Sequence, residues 1–247
     1  LEAAATARKF GVDVTLVEIE KRILKRVAAK ETSDFIRSLH ISNGVKIKEA
    51  IGLNKLEIVG DKVLSASLTD GSDIDVDFII VGIGITPNTE LAEAAKLKID
   101  NGIFVNNKCQ TSVSNIYAAG DCTSFEYKNT LVRLESVGNA IDQATTVAQN
   151  IMNQNTNYIP KPWFWSDQYD LKLQIAGLNA GYDDVVVRKG ENNQVSHWYF
   201  KGSSLLAIDA LNDPRCYMIG KRLIEANKSP SKNQLKDADF NLKVLLK

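Results

Sequence analysis

The chain has 247 residues, enough for one large or two to three small domains, and its 44% apolar and 24% charged residues are the balance of an ordinary globular protein. Its 30 Lys plus Arg cancel its 30 Asp plus Glu, so no whole-protein field draws it to nucleic acid or to a membrane surface. No apolar run approaches the roughly 20 residues that span a bilayer and no basic-then-apolar export signal opens the chain, so the cytoplasm is the expected compartment.

Residues 1–10 are Ala-rich, with Leu1, Ala5 and Phe10 on one side, and predict a helix that stops at Gly11. Residues 12–17 alternate and end apolar, as a buried parallel strand does, and Glu18 follows at once. Helix, glycine, strand and acid make the second half of a dinucleotide-binding unit, whose first strand and glycine-rich turn are expected before Leu1. A carboxylate after that strand accepts hydrogen bonds from both adenosine ribose hydroxyls and repels a 2′-phosphate. Glu18 therefore favours NADH over NADPH, while Arg22, four residues on, is placed to weaken that exclusion. The plain alternative for Glu18 is a solvated acid at a helix N-terminus.

Residues 21–29 and 31–41 read as helices broken near Lys30, the second capped by Thr32 or Ser33 and closed by Asn43-Gly44. A strand over 45–50 precedes a hairpin of 56–59 and 63–68 about Gly60-Asp61, and Asp70-Gly71 turns the chain into 74–81. Phe78-Ile79-Ile80-Val81 is apolar enough to enter a main sheet. Gly82 and Gly84 then let backbone approach a dinucleotide, and Pro87 stiffens the crossing to the next domain.

Thr89 caps a short helix to Leu97, and 102–105 is a strand. Residues 116–119 form an apolar run of strand length that ends in Gly120 and Asp121. At the carboxyl edge of a sheet strand such a pair suits a polyol: glycine admits a ligand closely, and the carboxylate offers two acceptors to hydroxyl groups. A bare strand with a Gly-Asp turn is the alternative. Residues 133–137 lead into a helix over 139–154 with Ile141, Ala144, Ala148 and Ile151 on its apolar face, and the Asn- and Pro-rich 153–162 mark a boundary. Beyond it 172–176, 184–188, 195–200 and 205–211 alternate as antiparallel strands, and Pro214 opens a helix to about 226. The tail from Asp213 carries excess base, Arg215, Lys221, Arg222 and Lys243 included, and is either a steering surface for an acidic partner or a solvated tail.

Cys109, Cys122 and Cys216 are odd in number and form no C-x-x-C pair, which argues against a disulfide framework, a zinc site and a redox dithiol. His40 and His197 stand alone and read as surface or satisfied core residues.

Four stretches resemble, in order, the motifs of the pyridine-nucleotide-dependent flavoprotein reductases. They are Val81-Gly82-Ile83-Gly84-Ile85-Thr86-Pro87-Asn88, the run from Thr111 through Gly120-Asp121-Cys122, Arg133-Leu134-Glu135-Ser136-Val137-Gly138-Asn139-Ala140, and Pro162-Trp163-Phe164-Trp165-Ser166-Asp167-Gln168. The branch they resemble reduces ferredoxins and similar small iron–sulfur proteins, and the resemblance runs the length of the chain. It implies an α/β fold of incomplete three-layer ββα nucleotide-binding domains, Rossmann-like in form, plus a C-terminal α+β domain with an antiparallel sheet. An NAD-binding domain lacking its first strand and Gly-rich loop is expected over 1–86, the C-terminal part of an FAD-binding domain over 87–157, and the reductase C-terminal domain over 158–247.

The same resemblance implies FAD and NADH as cofactors and a [2Fe-2S] ferredoxin or rubredoxin-like acceptor as partner, with no catalytic side-chain acid or nucleophile because the flavin carries the chemistry. On the flavin side it implies Asp121 at the ribitol or pyrophosphate, Glu135, the Val137 N–H at a helix N-terminus near the pyrimidine edge, and Trp165 rather than Trp163 beside the flavin and nicotinamide pocket. A hydrophobic plug is the alternative for both tryptophans. On the NAD side it implies Glu2 near the nicotinamide carboxamide, with Glu18, Gly82 and Gly84. An NADH oxidase, a nitrite-reductase-like subunit and an NADH-sensing flavoprotein resembling apoptosis-inducing factor stay open. A chain that lacks the first strands is expected to bind FAD poorly by itself.

Overall fold

The computed structural model describes residues 1–191 and 193–246. In chain order its elements are α1 (Glu2–Lys9), β1 (Thr15–Glu18), α2 (Lys30–Ser42), β2 (Lys46–Glu49), β3 (Leu53–Val59), β4 (Lys62–Leu68), β5 (Asp73–Asp75), α3 (Glu90–Ala94), β6 (Ile103–Phe104), β7 (Thr123–Tyr127) and β8 (Thr130–Val132). There follow α4 (Val137–Ile151), β9 (Trp163–Gln168), β10 (Leu171–Gly177), β11 (Asp184–Lys189), β12 (Val195–Lys201), β13 (Ser204–Leu211), α5 (Pro214–Glu225), α6 (Lys232–Lys236) and a 3-10 helix, Leu242–Leu246. The mixed α/β architecture matches the expectation. Two compact units form: one of Leu1–Gly82, Trp165–Ile175 and the chain from Asn179 on, the other of Ile83–Phe164 and Ala176–Leu178.

In the first unit, β1 lies parallel to β2, from Thr15 opposite Lys46 to Glu18 opposite Glu49. The pair stands alone as a two-stranded sheet, so β1 is half-buried rather than buried, with Val17 36% exposed. Ala5 is buried in α1 but Phe10 is 82% exposed, because the helix ends at Lys9 and leaves Phe10 off its packed face. Residues 21–29 form turns, not the expected helix. Leu24 adopts a left-handed φ of 57°, the Ile23 N–H donates to Glu49 at 2.7 Å, and Arg22 donates to the Ala28 carbonyl at 2.8 Å, so side chains take backbone groups that a continuous helical ladder would use. Thr32 and Ser33 do not cap α2; Ala29 holds the N-cap position, and both hydroxyl residues are buried in the first turn. The helix ends at Asn43-Gly44 as expected, Gly44 at φ 84°.

Strands β3, β4 and β5 make an antiparallel layer. The expected strand to Val81 stops at Asp75. Phe78, Ile80 and Val81 are 57%, 64% and 66% exposed, and among the described residues no strand lies beside them to take their backbone groups.

The C-terminal sheet has the order β11-β12-β13-β10-β9, with β9 and the short α6 as elements the sequence patterns did not resolve. Helix α5 opens on Pro214, and the Asp213 carboxylate accepts from the Cys216 N–H at 2.9 Å, an N-cap of the ordinary kind. A strap from Ser231 to Leu246 follows. Arg188 on β11 holds it by donating to five of its carbonyls, those of Gln234, Leu235, Asp237, Ala238 and Phe240, so the guanidinium is matched to backbone dipoles. Ile23 and Ile36 share one apolar cluster with Leu171, Leu173 and Leu211, so the two ends of the chain build a common core.

A buried polar junction reinforces that union. The Ala29 N–H donates to the Tyr199 hydroxyl at 2.9 Å, Tyr199 donates to Asp209 Oδ2, and Thr32 donates to the same oxygen at 2.6 Å. With its hydrogen committed to Asp209, Thr32 accepts from His197 Nδ1 at 2.7 Å, which fixes the imidazole tautomer. Burial pushes Asp209 up from 3.8 to about 6 and His197 down from 6.5 to about 4.

The second unit departs further from expectation. Residues 116–119 are not a strand: Tyr117 makes a single antiparallel bridge to Gln110, and the ladder position beside β6 is taken by β7. Thr89 stands at the N-cap of α3, but its hydroxyl donates to the Glu93 carboxylate at 2.6 Å. Helix α4 differs most. Its buried residues are Gly138, Asn139, Gln143, Thr146 and Asn150, whereas Ile141 and Ile151 on the expected apolar face are 60% and 61% exposed. The buried side is polar because it serves loops: Asn150 donates to the carbonyls of Lys108 and Thr156 at 3.0 and 2.8 Å.

Between pH 3.8 and about 6 the folded state keeps a proton on Asp209 that the unfolded chain has released, so this group's contribution to stability falls as pH rises through that window. Compared with D209N, the wild-type protein is expected to lose up to about 1.4 kcal/mol per pH unit across it. His197 acts with the opposite sign, so D209N should lose stability on acidification more steeply than wild type. Urea unfolding at both ends of the window measures the difference.

Candidate functional site

The Gly120-Asp121 pair is held by backbone and amide contacts, not by a strand. Gly120 sits at φ 87°, a conformation that suits glycine, and its N–H donates to the Gln143 Oε1 at 2.7 Å. Gln143 is fully buried on α4 and pins this turn to the helix. Asp121 is thereby exposed at the start of α4, where its Oδ1 accepts from the Ser136 N–H at 3.3 Å. Arg133 donates to the Asp121 carbonyl at 3.4 Å and pairs with Glu135 at 2.8 Å.

Ser136 occupies the N-cap position of α4 without capping it; its hydroxyl donates to the Trp163 carbonyl at 2.9 Å. Val137, the first helical residue, is 57% exposed. The positive end of α4 thus stands beside an exposed carboxylate, a donor and acceptor set that matches the anionic ring edge and hydroxylated chain of a flavin. Buried polar atoms without a partner among the described residues are Ser124 Oγ, Arg133 Nε and Gln143 Nε2, all on segments that meet at this turn. These residues fit FAD. Gly138 is required for a different reason: a Cβ there would lie 2.4 Å from Trp163 Nε1, so the first turn of α4 packs directly on the indole.

Among the residues expected at a dinucleotide, Glu18 is the last residue of β1, and its Oε1 accepts from the Glu20 N–H at 2.9 Å, which orients the carboxylate at the strand's carboxyl end. Glu2 opens α1 and accepts from Ser166 Oγ at 2.6 Å. Trp165, next to that serine on β9, is 47% exposed. A Cβ added at Gly82 or Gly84 would meet no atom within 4 Å, so the close approach expected of them is not made within the chain; Gly84, at φ 109°, still needs to be glycine.

All three cysteines are free, and burial pushes Cys109 up to about 11 and Cys216 up to about 12, so neither of these two offers a thiolate. Both histidines are buried and hydrogen-bonded, as expected of core residues. Ser136, Gln143, Ser166 and Gln168 bond to or beside the candidate residues in ways that sequence patterns do not reveal, since a hydroxyl or amide carries no periodicity that announces its partner. A cleft of about 330 Å³ between α5 and the 3-10 helix is lined by Arg215, Met218, Ile219, Arg222, Lys243 and Leu246. No helix among the described residues is long and apolar enough to cross a membrane.

Residues 1–144 match the family described as pyridine nucleotide-disulphide oxidoreductase. The chain belongs to that family. Residues 163–246 match the reductase C-terminal domain. Rhodocoxin reductase of Rhodococcus erythropolis is 39% identical over 249 residues, covering 100% of this chain and 58% of that protein. Among solved structures, the ferredoxin reductase for the CYP199A2 system of Rhodopseudomonas palustris aligns with a TM-score of 0.95 at 36% identity over 99% of this chain and 61% of its own. The reductase of a covalent putidaredoxin reductase–putidaredoxin complex aligns with a TM-score of 0.95 at 38% identity over 100% of this chain and 60% of its own. The chain therefore spans about three-fifths of the length of these relatives.

Gly138→Ala is expected to force the Trp163 indole aside and to destabilise the second unit by about 1–3 kcal/mol, the usual effect of overpacking. Urea unfolding, together with the tryptophan emission of the folded protein, measures both effects.

Proposed function

We propose that this protein is an NADH-dependent flavoprotein reductase that passes electrons from NADH through FAD to a [2Fe-2S] ferredoxin or a rubredoxin-like carrier. The observation that carries this reading is the Asp121 carboxylate set against the open N-terminus of α4, in a chain whose relatives carry the names of such reductases. Residues 1–86 serve the dinucleotide, 87–157 the flavin, and 158–247 form the C-terminal domain.

FAD, when bound, supplies the chemistry by accepting two electrons as a hydride and releasing them singly. The side chains of this chain bind and orient. Asp121 accepts from hydroxyl groups of the flavin's ribitol chain, and the Val137 N–H, backed by the dipole of α4, donates toward the anionic edge of the ring. Glu135, braced by Arg133, lies on the same side, and Trp165 covers the nicotinamide pocket. Glu18 accepts from the adenosine ribose hydroxyls, Glu2 accepts from the nicotinamide carboxamide, and Gly82 and Gly84 leave room for the dinucleotide backbone.

The cleft beside α5 supplies the docking surface. Three cations, Arg215, Arg222 and Lys243, ring an apolar floor that includes Met218 and Ile219, which is complementary to an acidic carrier with an apolar centre.

The full-length protein should load FAD, be reduced by NADH in stopped flow, and be reoxidised rapidly by a [2Fe-2S] ferredoxin. A reduced complex that persists in the presence of ferredoxin would instead mark a sensor. D121A is expected to lower bound flavin at purification. E18A should narrow the preference for NADH over NADPH by roughly tenfold, about the 1.4 kcal/mol that one charge-assisted contact supplies.

A further inference from the structure

We propose that Ser166 and Gln168 are positioning residues for the Glu2 carboxylate, acting through a one-way chain of hydrogen bonds anchored at buried His40. The proposal rests on the reading of Glu2 as acceptor for the nicotinamide carboxamide and deepens it.

The chain is continuous. Ser166 Oγ lies 2.6 Å from Glu2 Oε1, Gln168 Nε2 lies 2.9 Å from Ser166 Oγ, and Gln168 Oε1 lies 2.7 Å from His40 Nε2. The Tyr169 hydroxyl completes it, 3.4 Å from His40 Nδ1, with the phenol ring edge-on to the imidazole at 5.2 Å. Gln168 is 2% exposed and His40 is fully buried, so neither can trade these partners for solvent. Tyr169 holds its place at a left-handed φ of 56°, a conformation that a tyrosine rarely adopts.

The direction of each bond follows from the donors available. Burial holds His40 below its ordinary value and hence neutral, with one N–H. Gln168 turns its Oε1, an acceptor only, toward Nε2, so that N–H is on Nε2 and Nδ1 is left to accept from Tyr169. The amide nitrogen of Gln168 must then face Ser166 and donate to its oxygen. This leaves the serine hydrogen for Glu2. The opposite amide orientation would turn Oε1 toward Ser166 and draw the hydroxyl hydrogen away from the carboxylate. The outcome at Glu2 is one oxygen fixed by Ser166 and the other available to accept from a carboxamide N–H. Gln168 has no titratable proton, so the chain orients and does not conduct protons.

The test compares two ligands that differ only in the nicotinamide: NAD+ and ADP-ribose, titrated calorimetrically into the full-length FAD-loaded protein. S166A and Q168L are each expected to weaken NAD+ roughly fivefold, the worth of one hydrogen bond, and to leave ADP-ribose unchanged, which also reports that the fold is intact. S166T, which keeps the hydroxyl, should restore NAD+ affinity. Equal losses for both ligands, or no loss for either, would overturn the positioning role. E2Q separates the two levels: if it moves the NAD+ to ADP-ribose ratio while S166A does not, only the positioning role fails, and if it leaves that ratio alone the reading of Glu2 fails with it.

Discussion

The Asp209 carboxylate is 1% exposed, and an acid so buried is tolerated only because two hydroxyl donors converge on one of its oxygens. One of those donors comes from the neighbouring strand and the other from α2, 177 residues away in sequence. Removing either partner would leave a desolvated charge, which costs far more than the bond itself. The junction therefore acts as a geometric lock: α2 can meet the C-terminal sheet in one register, the one that brings Thr32 to Asp209 and the Ala29 N–H to Tyr199. Through that lock β1 and β2, and so Glu18, inherit their placement from the far end of the chain.

Hydroxyl groups in this chain also work away from the helix ends on which they sit. Ser136 and Thr89 both stand at N-cap positions, where a side-chain oxygen would ordinarily take up a first-turn N–H. Ser136 turns to the Trp163 carbonyl and Thr89 to a glutamate. At α3 the consequence is local. At α4 it leaves the helix dipole open on the side where Asp121 lies, so a single serine both ties the Trp163 segment down and keeps the N-terminus receptive to negative charge. Asp213 and Ser231, which cap α5 and α6 conventionally, mark the contrast.

The patterns most legible in the sequence are those carried by local chemistry. The hairpin about Gly60-Asp61, the stop at Asn43-Gly44, the Pro214 helix start and the antiparallel strands from 171 to 211 lie where turn residues and alternation place them. What fails to show is set by distant partners. Residues 21–29 have helical composition, yet Glu49 and the Ile23 backbone take one another instead. Residues 78–81 and 116–119 have strand composition, yet among the described residues no strand pairs with them to complete a ladder. Helix α4 turns inward the side that its hydropathy would turn outward, because hydropathy cannot foresee that Asn139, Gln143 and Asn150 are buried to serve backbone groups of adjoining loops. In the candidate site, the acids are visible as candidates because Glu18 and Asp121 each follow an apolar run. Ser166 and Gln168 are not, since their significance lies in the direction of a hydrogen atom.

The strap held by Arg188 shows that like charge is not like function. A planar fork that reaches five carbonyls does something a spherical ammonium cannot imitate, so at position 188 charge is the lesser half of what the side chain contributes and shape the greater. Since Lys243 rides on the same strap, a substitution conservative in every electrostatic sense would still loosen the footing of a cation more than fifty positions away.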